Sequence, residues 1–213
     1  MIKAILFDVD GTIYDNNEQI IEFHKKTAKE LGLKGYSDVD IYKHMGKGWD
    51  EIIDLLWPEV ENQKFKEKYW KLKEKLEFTL RFNGDVKPVI EFLRTKYKIG
   101  VVSGGSKVNI ETKFRNHDIF HFFDVIVGEE DTKKHKPFGE PLLKACEELK
   151  IKPEEAIYIG DSINDYKAAK EAGVPFIGFI WDGINYNIFK DVELKNSVKN
   201  FEDIPEEIEK IIG

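Results

Sequence analysis

One apolar run that stops abruptly at two carboxylates constrains this chain most. Ile5-Leu6-Phe7 is followed at once by Asp8-Val9-Asp10-Gly11-Thr12. Consecutive apolar residues suit a strand buried on both faces of a parallel sheet. Gly11 then frees the backbone to turn. A carboxylate at the carboxyl end of a buried strand is costly unless something pairs with it. Ligands of open α/β sheets bind at that edge. Alone, an Asp-x-Asp turn closing a strand is ordinary, so partners later in the chain decide the matter.

After Thr12 the period becomes helical. Asn16, with Gln19 placed for a capping box, predicts a helix that Gly32 ends. Ser37 and Asp40 open a short helix ending near Met45-Gly46, and Trp49 to Trp57 reads as a third, stopped by Pro58. A fourth is expected from about Glu59 to Leu80, with Phe65, Tyr69, Leu72, Leu76 and Leu80 three or four apart. Four helices without a strand form an inserted bundle, placed at residues 15–83, and the aromatic stripe reads as its core. From Asn83 helix and strand alternate. Strands are expected at Lys98–Val102, Asp124–Val127, Ala156–Ile159 and Val174–Ile180, and helices at Pro88–Tyr97, Lys107–Asn116, Pro141–Leu149, Ile163–Ala172 and Pro205–Ile212. Such alternation gives parallel strands joined by right-handed crossovers. The expected fold class is therefore α/β: a Rossmann-like, doubly wound parallel sheet built from residues 1–14 and 84–213, with the helical bundle inserted.

Three strand ends then share one edge. The first offers Asp8 and Asp10, the second Ser103 and the amides of Gly104 and Gly105, and the fourth Asp161 and Asp165. The last two lie one turn apart at a helix start and can face the same point. Four carboxylates in one crevice cannot all ionise without a cation, and an all-oxygen set suits Mg²⁺. Lys136 adds a fixed positive charge. Mg²⁺, a lysine, a hydroxyl and exposed amides describe a phosphate site. Asp8 then suits nucleophilic catalysis and Asp10 general acid–base work.

With these residues in order, the chain resembles the haloacid dehalogenase superfamily hydrolases of the phosphatase branch, which carry a helical C1-type cap. All four family motifs are present: Asp8-Val9-Asp10-Gly11-Thr12, Ser103, Lys136-Pro137, and Gly160-Asp161-Ser162-Ile163-Asn164-Asp165. The resemblance implies that Asp8 attacks phosphorus and ligates Mg²⁺. It implies that Asp10 protonates the leaving group, activates water, and ligates the metal through its carbonyl. Ser103, Lys136 and the amides of Val9 and Gly104 would hold the phosphoryl group. Asp161 would bind Mg²⁺ directly, and Asp165 directly or through water. The first strand would lie between the second and fourth. One departure is Lys136-Pro137-Phe138-Gly139, where relatives often carry a second proline, so the loop shape there is open while the lysine charge stays.

Asp10 argues for phosphoryl chemistry, since dehalogenases and phosphonate-cleaving relatives lack an acid there. Gly178-Phe179-Ile180-Trp181-Asp182-Gly183, with the helix end at Ala169 to Gly173, resembles phosphoglycolate phosphatases. The expected activity is thus hydrolysis of a small metabolite's phosphate monoester, with 2-phosphoglycolate as the candidate substrate. A sugar-phosphate mutase, a pyrophosphatase and a catalytically silent interaction protein are the alternatives. Substrate choice is expected in the cap, at His44, Lys47 and Trp49, with Tyr14 at the hinge. The remaining histidines, His24, His117, His121 and His135, form no ligand spacing, and Lys133 and Lys134 read as solvated.

Composition bounds the rest. A formal charge of −7 argues against nucleic acid as a partner. The single cysteine, Cys146, excludes a disulfide framework and reads as a small core residue. The first apolar run is too short for a signal peptide, and nothing approaches membrane-spanning length. A cytoplasmic monomer or homodimer acting on a small phosphorylated metabolite is expected.

Overall fold

A computed structural model describes residues 1–75, 80–181, 189, 192 and 194–213. Six parallel strands form one sheet: β1 (Ala4–Phe7), β2 (Lys98–Val102), β3 (Val125–Val127), β4 (Ala156–Gly160), β5 (Phe176–Phe179) and β6 (Ser197–Val198). Their order is β3-β2-β1-β4-β5-β6. Ile5 pairs with Ile99 on one side and Ile157 on the other, which makes β1 central, as expected. The sixth strand was not anticipated. Two residues between Asn196 and Lys199 carry no readable period, and only pairing with β5 defines them.

The sheet buries both faces. Ile5, Phe7, Ile99, Val101, Ile157 and Ile159 point into one core, closed by α5 (Val86–Arg94), α6 (Lys107–Asn116) and α9 (Ile204–Ile212). Ala4, Leu6, Val102, Ala156 and Tyr158 point into the other, closed by α7 (Glu140–Leu149) and α8 (Ile163–Ala172). This alternation is the period of two made visible. Cys146 is buried in the second core, as its helix pattern implied.

Between β1 and α5 come α1 (Asn17–Glu30), α2 (Asp38–Tyr42), α3 (Trp49–Leu56) and α4 (Asn62–Lys75). Ile21, Phe23, Ile41, Ile53, Trp57, Phe65, Tyr69 and Leu72 make a third core of their own. The two crossings into this helical unit run side by side: Asp15 N donates to Arg81 O at 2.9 Å, and Asn83 N to Ile13 O at 3.0 Å. The expected capping box at α1 does not form. Asn16 stands at the cap position, but its Nδ2 donates to Asp10 Oδ1 at 2.5 Å and its Oδ1 accepts from Gly11 N at 3.2 Å. A carboxylate in need of donors outcompetes a local cap. The Ser37 cap does form, accepting from Asp40 N at 3.2 Å, although its helix ends at Tyr42. Helix α4 begins later than expected, at Asn62, and Leu80 packs on the sheet core outside any helix. Leu76, Asp182 and Gly183 lie outside the described residues. Among the described residues no helix is long and apolar enough to cross a membrane.

Candidate active site

The carboxyl ends of β1, β2 and β4 meet the helical unit across a cavity of about 110 Å³. Asp8, at the end of β1, is buried, and its Oδ1 accepts from Lys136 Nζ at 2.6 Å. The same ammonium, itself only 1% exposed, donates to Asp165 Oδ1 at 2.6 Å. Lys136 is thus clamped between two carboxylates, and the departure at Gly139 leaves it in place. Burial works against its charge, but Asp165 and Asp8 outweigh that and hold the ammonium above the usual lysine range. For Asp8 burial wins: with Asp165 and Asp161 beside it, its carboxyl is pushed well above the usual range despite Lys136.

Asp161 and Asp165 take their positions from the start of α8. Ser162 caps this helix, accepting from Asp165 N at 3.1 Å, while Asp165 Oδ2 accepts from Ser162 N at 3.0 Å. This reciprocal box fixes the Asp165 carboxylate. Asp161 Oδ2 accepts from Asn17 Nδ2 at 2.6 Å and from Tyr42 Oη at 2.6 Å. Burial and the charge of Asp165 still push Asp161 up to about 7. Asp8, Asp161 and Asp165 each offer an oxygen, all within 4.8 Å of one another. Buried carboxylates this close resist ionising together. A hard divalent cation fits an all-oxygen set that lacks histidine and cysteine.

The Asp10 carboxylate stands apart from this trio, facing Lys113 Nζ at 2.7 Å. Burial opposes its charge, yet the Lys113 pair and the Asn16 bond hold its pKa below the usual carboxylate value. Ser103 and Gly104, after β2, also line the cavity, and Ser103 Oγ accepts from Gly105 N at 3.2 Å. The Val9 side chain is buried in the sheet core, so only its backbone can serve at this edge.

The helical unit is closed over this edge. Tyr42 Oη donates to Asp161 O at 2.8 Å, Asn164 Nδ2 to Met45 O at 2.7 Å, and Trp49 N to Glu129 Oε1 at 3.0 Å. Of the four expected substrate residues, Lys47 and Trp49 line the cavity. Lys47 pairs with Glu51, and Trp49 packs edge-on against Tyr69 at 4.7 Å. Tyr14 is fully buried and stacked on Phe82 at 5.2 Å, and it does not line the cavity. His44 does not line the cavity either, whereas His24, set aside in the sequence, does. Lys133 and Lys134 are exposed, as expected.

Sequence reasoning missed Asn17, Tyr42, Lys73 and Lys113. None belongs to a motif. Only a surplus of polar groups on the inner side of otherwise apolar helices could have marked them.

Comparison with known proteins agrees with this geometry. The model of the haloacid dehalogenase-like hydrolase family matches residues 5–179. PpaX of Clostridium perfringens, a candidate pyrophosphatase, is 36% identical over 180 residues, covering 84% of each chain. The phosphoglycolate phosphatase of Aquifex aeolicus is 31% identical over 192 residues, covering 87% of this chain and 88% of its own. Among solved structures, CbbY of Rhodobacter sphaeroides in complex with phosphate superposes with a TM-score of 0.75 at 26% identity, covering 96% of both chains. With its motifs gathered at one sheet edge and the family matched from β1 to β5, this chain belongs to the haloacid dehalogenase-like hydrolases, and within them it resembles the phosphatases.

Proposed function

We propose that this protein is a Mg²⁺-dependent phosphatase that hydrolyses the phosphate monoester of a small metabolite, with 2-phosphoglycolate the leading candidate. The observation that carries this reading is the buried Asp8–Lys136–Asp165 clamp beside Asp161, with Asp10 held separately at the same cavity. Asp8 attacks phosphorus through one carboxylate oxygen, forming an aspartyl phosphate as the ester bond breaks. A phosphate ester entering the cavity brings negative charge that raises the Asp10 pKa, so Asp10 takes up a proton and gives it to the departing oxygen. It then takes a proton from the water that attacks the aspartyl phosphate, which releases phosphate and restores Asp8. Ser103, Lys136 and the backbone N–H groups of Val9 and Gly104 hold the phosphoryl oxygens. Asp8, Asp161, Asp165 and the Asp10 carbonyl would hold Mg²⁺, which when bound supplies positive charge against the phosphoryl oxygens. Residues 15–83 act as a cap over the core of residues 1–14 and 84–213, excluding water while the ester reacts. The Aquifex relative supports the monoester reading. The likeness to PpaX favours a second one, hydrolysis of pyrophosphate by the same steps with phosphate as the leaving group.

The test is phosphate release from 2-phosphoglycolate, pyrophosphate and a set of sugar phosphates, with Mg²⁺ or EDTA, for the wild type and Asp8→Asn. Release should need Mg²⁺ and fall by roughly three orders of magnitude or more in Asp8→Asn, with folding retained. Release that survives the substitution, or silence across all substrates, refutes the reading.

A further inference from the structure

Two ammonium groups act on Asp10 from different parts of the molecule, Lys113 in contact and Lys73 through its charge. Lys113, on α6 beneath the sheet edge, donates to Asp10 Oδ1 at 2.7 Å and is largely buried. Lys73, on α4 of the helical unit, lies over the Trp70 ring, 4.8 Å from its centroid. It acts electrostatically on both Asp10 and Lys113, and both lysines line the cavity. Bringing like charges together in a half-buried place is unfavourable. Burial first, and then the charge of Lys113, pull Lys73 down to about 8. An anion lodged beside both would relieve that repulsion. Trp49, Tyr69 and Trp70 form the neighbouring wall, and such aromatic walls keep water out and strengthen a charge contact.

Position along the cavity says what that anion belongs to. The Asp8–Asp161–Asp165 end takes the phosphoryl group. Asp10 must reach the departing oxygen, so the leaving group lies beside Asp10 and Lys113, in the cavity that Lys73 also lines.

We propose that Lys73 and Lys113 form an anion subsite for the leaving group, so that the preferred substrates are small phosphate esters or anhydrides whose leaving group carries a second negative charge. This rests on the phosphatase reading above. One lysine comes from the helical unit and one from the sheet unit, so the subsite is complete only when the two are closed together. It accounts for a carboxylate or a phosphate on the leaving group by the same contacts, and it rejects neutral leaving groups of equal size. Charge-assisted hydrogen bonds of this kind correspond to roughly tenfold to hundredfold in kcat/KM.

The experiment compares two matched pairs with Mg²⁺ present: 2-phosphoglycolate against 2-hydroxyethyl phosphate, and pyrophosphate against methyl phosphate. The first pair tests a carboxylate and the second a phosphate. In the wild type the anionic member of at least one pair should lead by roughly tenfold or more in kcat/KM. Lys73→Met should lower that ratio by roughly tenfold, and Lys73→Arg should keep it. Lys113→Met should lower the ratio as well, with a general loss because it also touches Asp10. Circular dichroism checks each variant, and Lys73→Gln replaces Lys73→Met if the latter does not fold. A wild-type ratio near one in both pairs, or a ratio unmoved by both Met variants, overturns the subsite alone. No release from any of the four compounds overturns the phosphatase reading and the subsite with it.

Discussion

His24 should make the helical unit sensitive to acid, by an amount the structure allows to be worked out. Its ring is 2% exposed, stacked on Trp49 at 5.4 Å and on Trp57 at 6.2 Å, with Tyr69 edge-on at 5.1 Å. Nδ1 lies 2.8 Å from Ile20 O, a carbonyl that can only accept, so Nδ1 carries the proton of the neutral ring. Among the described residues Nε2 is buried without a partner, and a second proton there would find none of them to bond. Burial accordingly pulls the pKa down to about 4, against the small upward effect of Ile20. In the unfolded chain the value is about 6.5. The folded pKa is the lower one, so the unfolded state takes up the proton first as pH falls. The contribution to stability is therefore whole above pH ~6.5 and is lost progressively down to pH ~4. A gap of about 2.5 units is worth about 3 kcal/mol in full, of which about 2 kcal/mol is gone by pH 5. His24→Phe removes the titration and keeps an aromatic ring in the slot. Urea unfolding at pH 7 and pH 5 measures it, since Asp161 and the other carboxylates titrate in both proteins and cancel. The wild type should lose about 2 kcal/mol more than His24→Phe between the two pH values. Parallel losses would refute the argument.

Closure and metal binding give two further expectations. A Cβ on Gly104 would stand 2.7 Å from Lys47 O and 2.8 Å from Gly46 O, both backbone atoms of the helical unit. Gly104→Ala should hold that unit off the sheet edge, lowering kcat/KM by roughly tenfold while thermal stability moves by less than about 1 kcal/mol; steady-state kinetics unchanged from the wild type would count against the closed form as the working one. Mg²⁺ at 100 times its dissociation constant should stabilise the protein by about 2.7 kcal/mol in a thermal melt, and EDTA should remove the effect. Because burial keeps Asp161 protonated up to about 7, apparent Mg²⁺ affinity should rise as pH goes from 6 to 8. Affinity flat across that range would place the cation elsewhere.

Local periodicity was enough to read most of the architecture in this chain. Ile5, Leu6 and Phe7, like Ile157, Tyr158 and Ile159, are apolar in succession because both faces of the sheet are covered, and a turn chemistry stops each run. The acids and Lys136 were legible for the same reason: polar residues placed where buried strands end have few structural uses. What periodicity cannot say is which of three cores a buried residue joins, or how a helical unit is seated on a sheet. Tyr14 reads as a residue next to the chemistry, yet its ring turns into the sheet core against Phe82. His24 reads as one more helical residue, yet its face of α1 borders the cavity. The partners of the acids were decided at the same level. Asn17 and Tyr42 reach Asp161 across 144 and 119 residues of chain, and Lys113 reaches Asp10 across 103. Short-range sequence determined where the carboxylates stand. Only tertiary packing, within the sheet unit for Lys113 and between the two units for Asn17 and Tyr42, determined which donors neutralise them, because hydrogen bonds between distant residues leave no period in the chain.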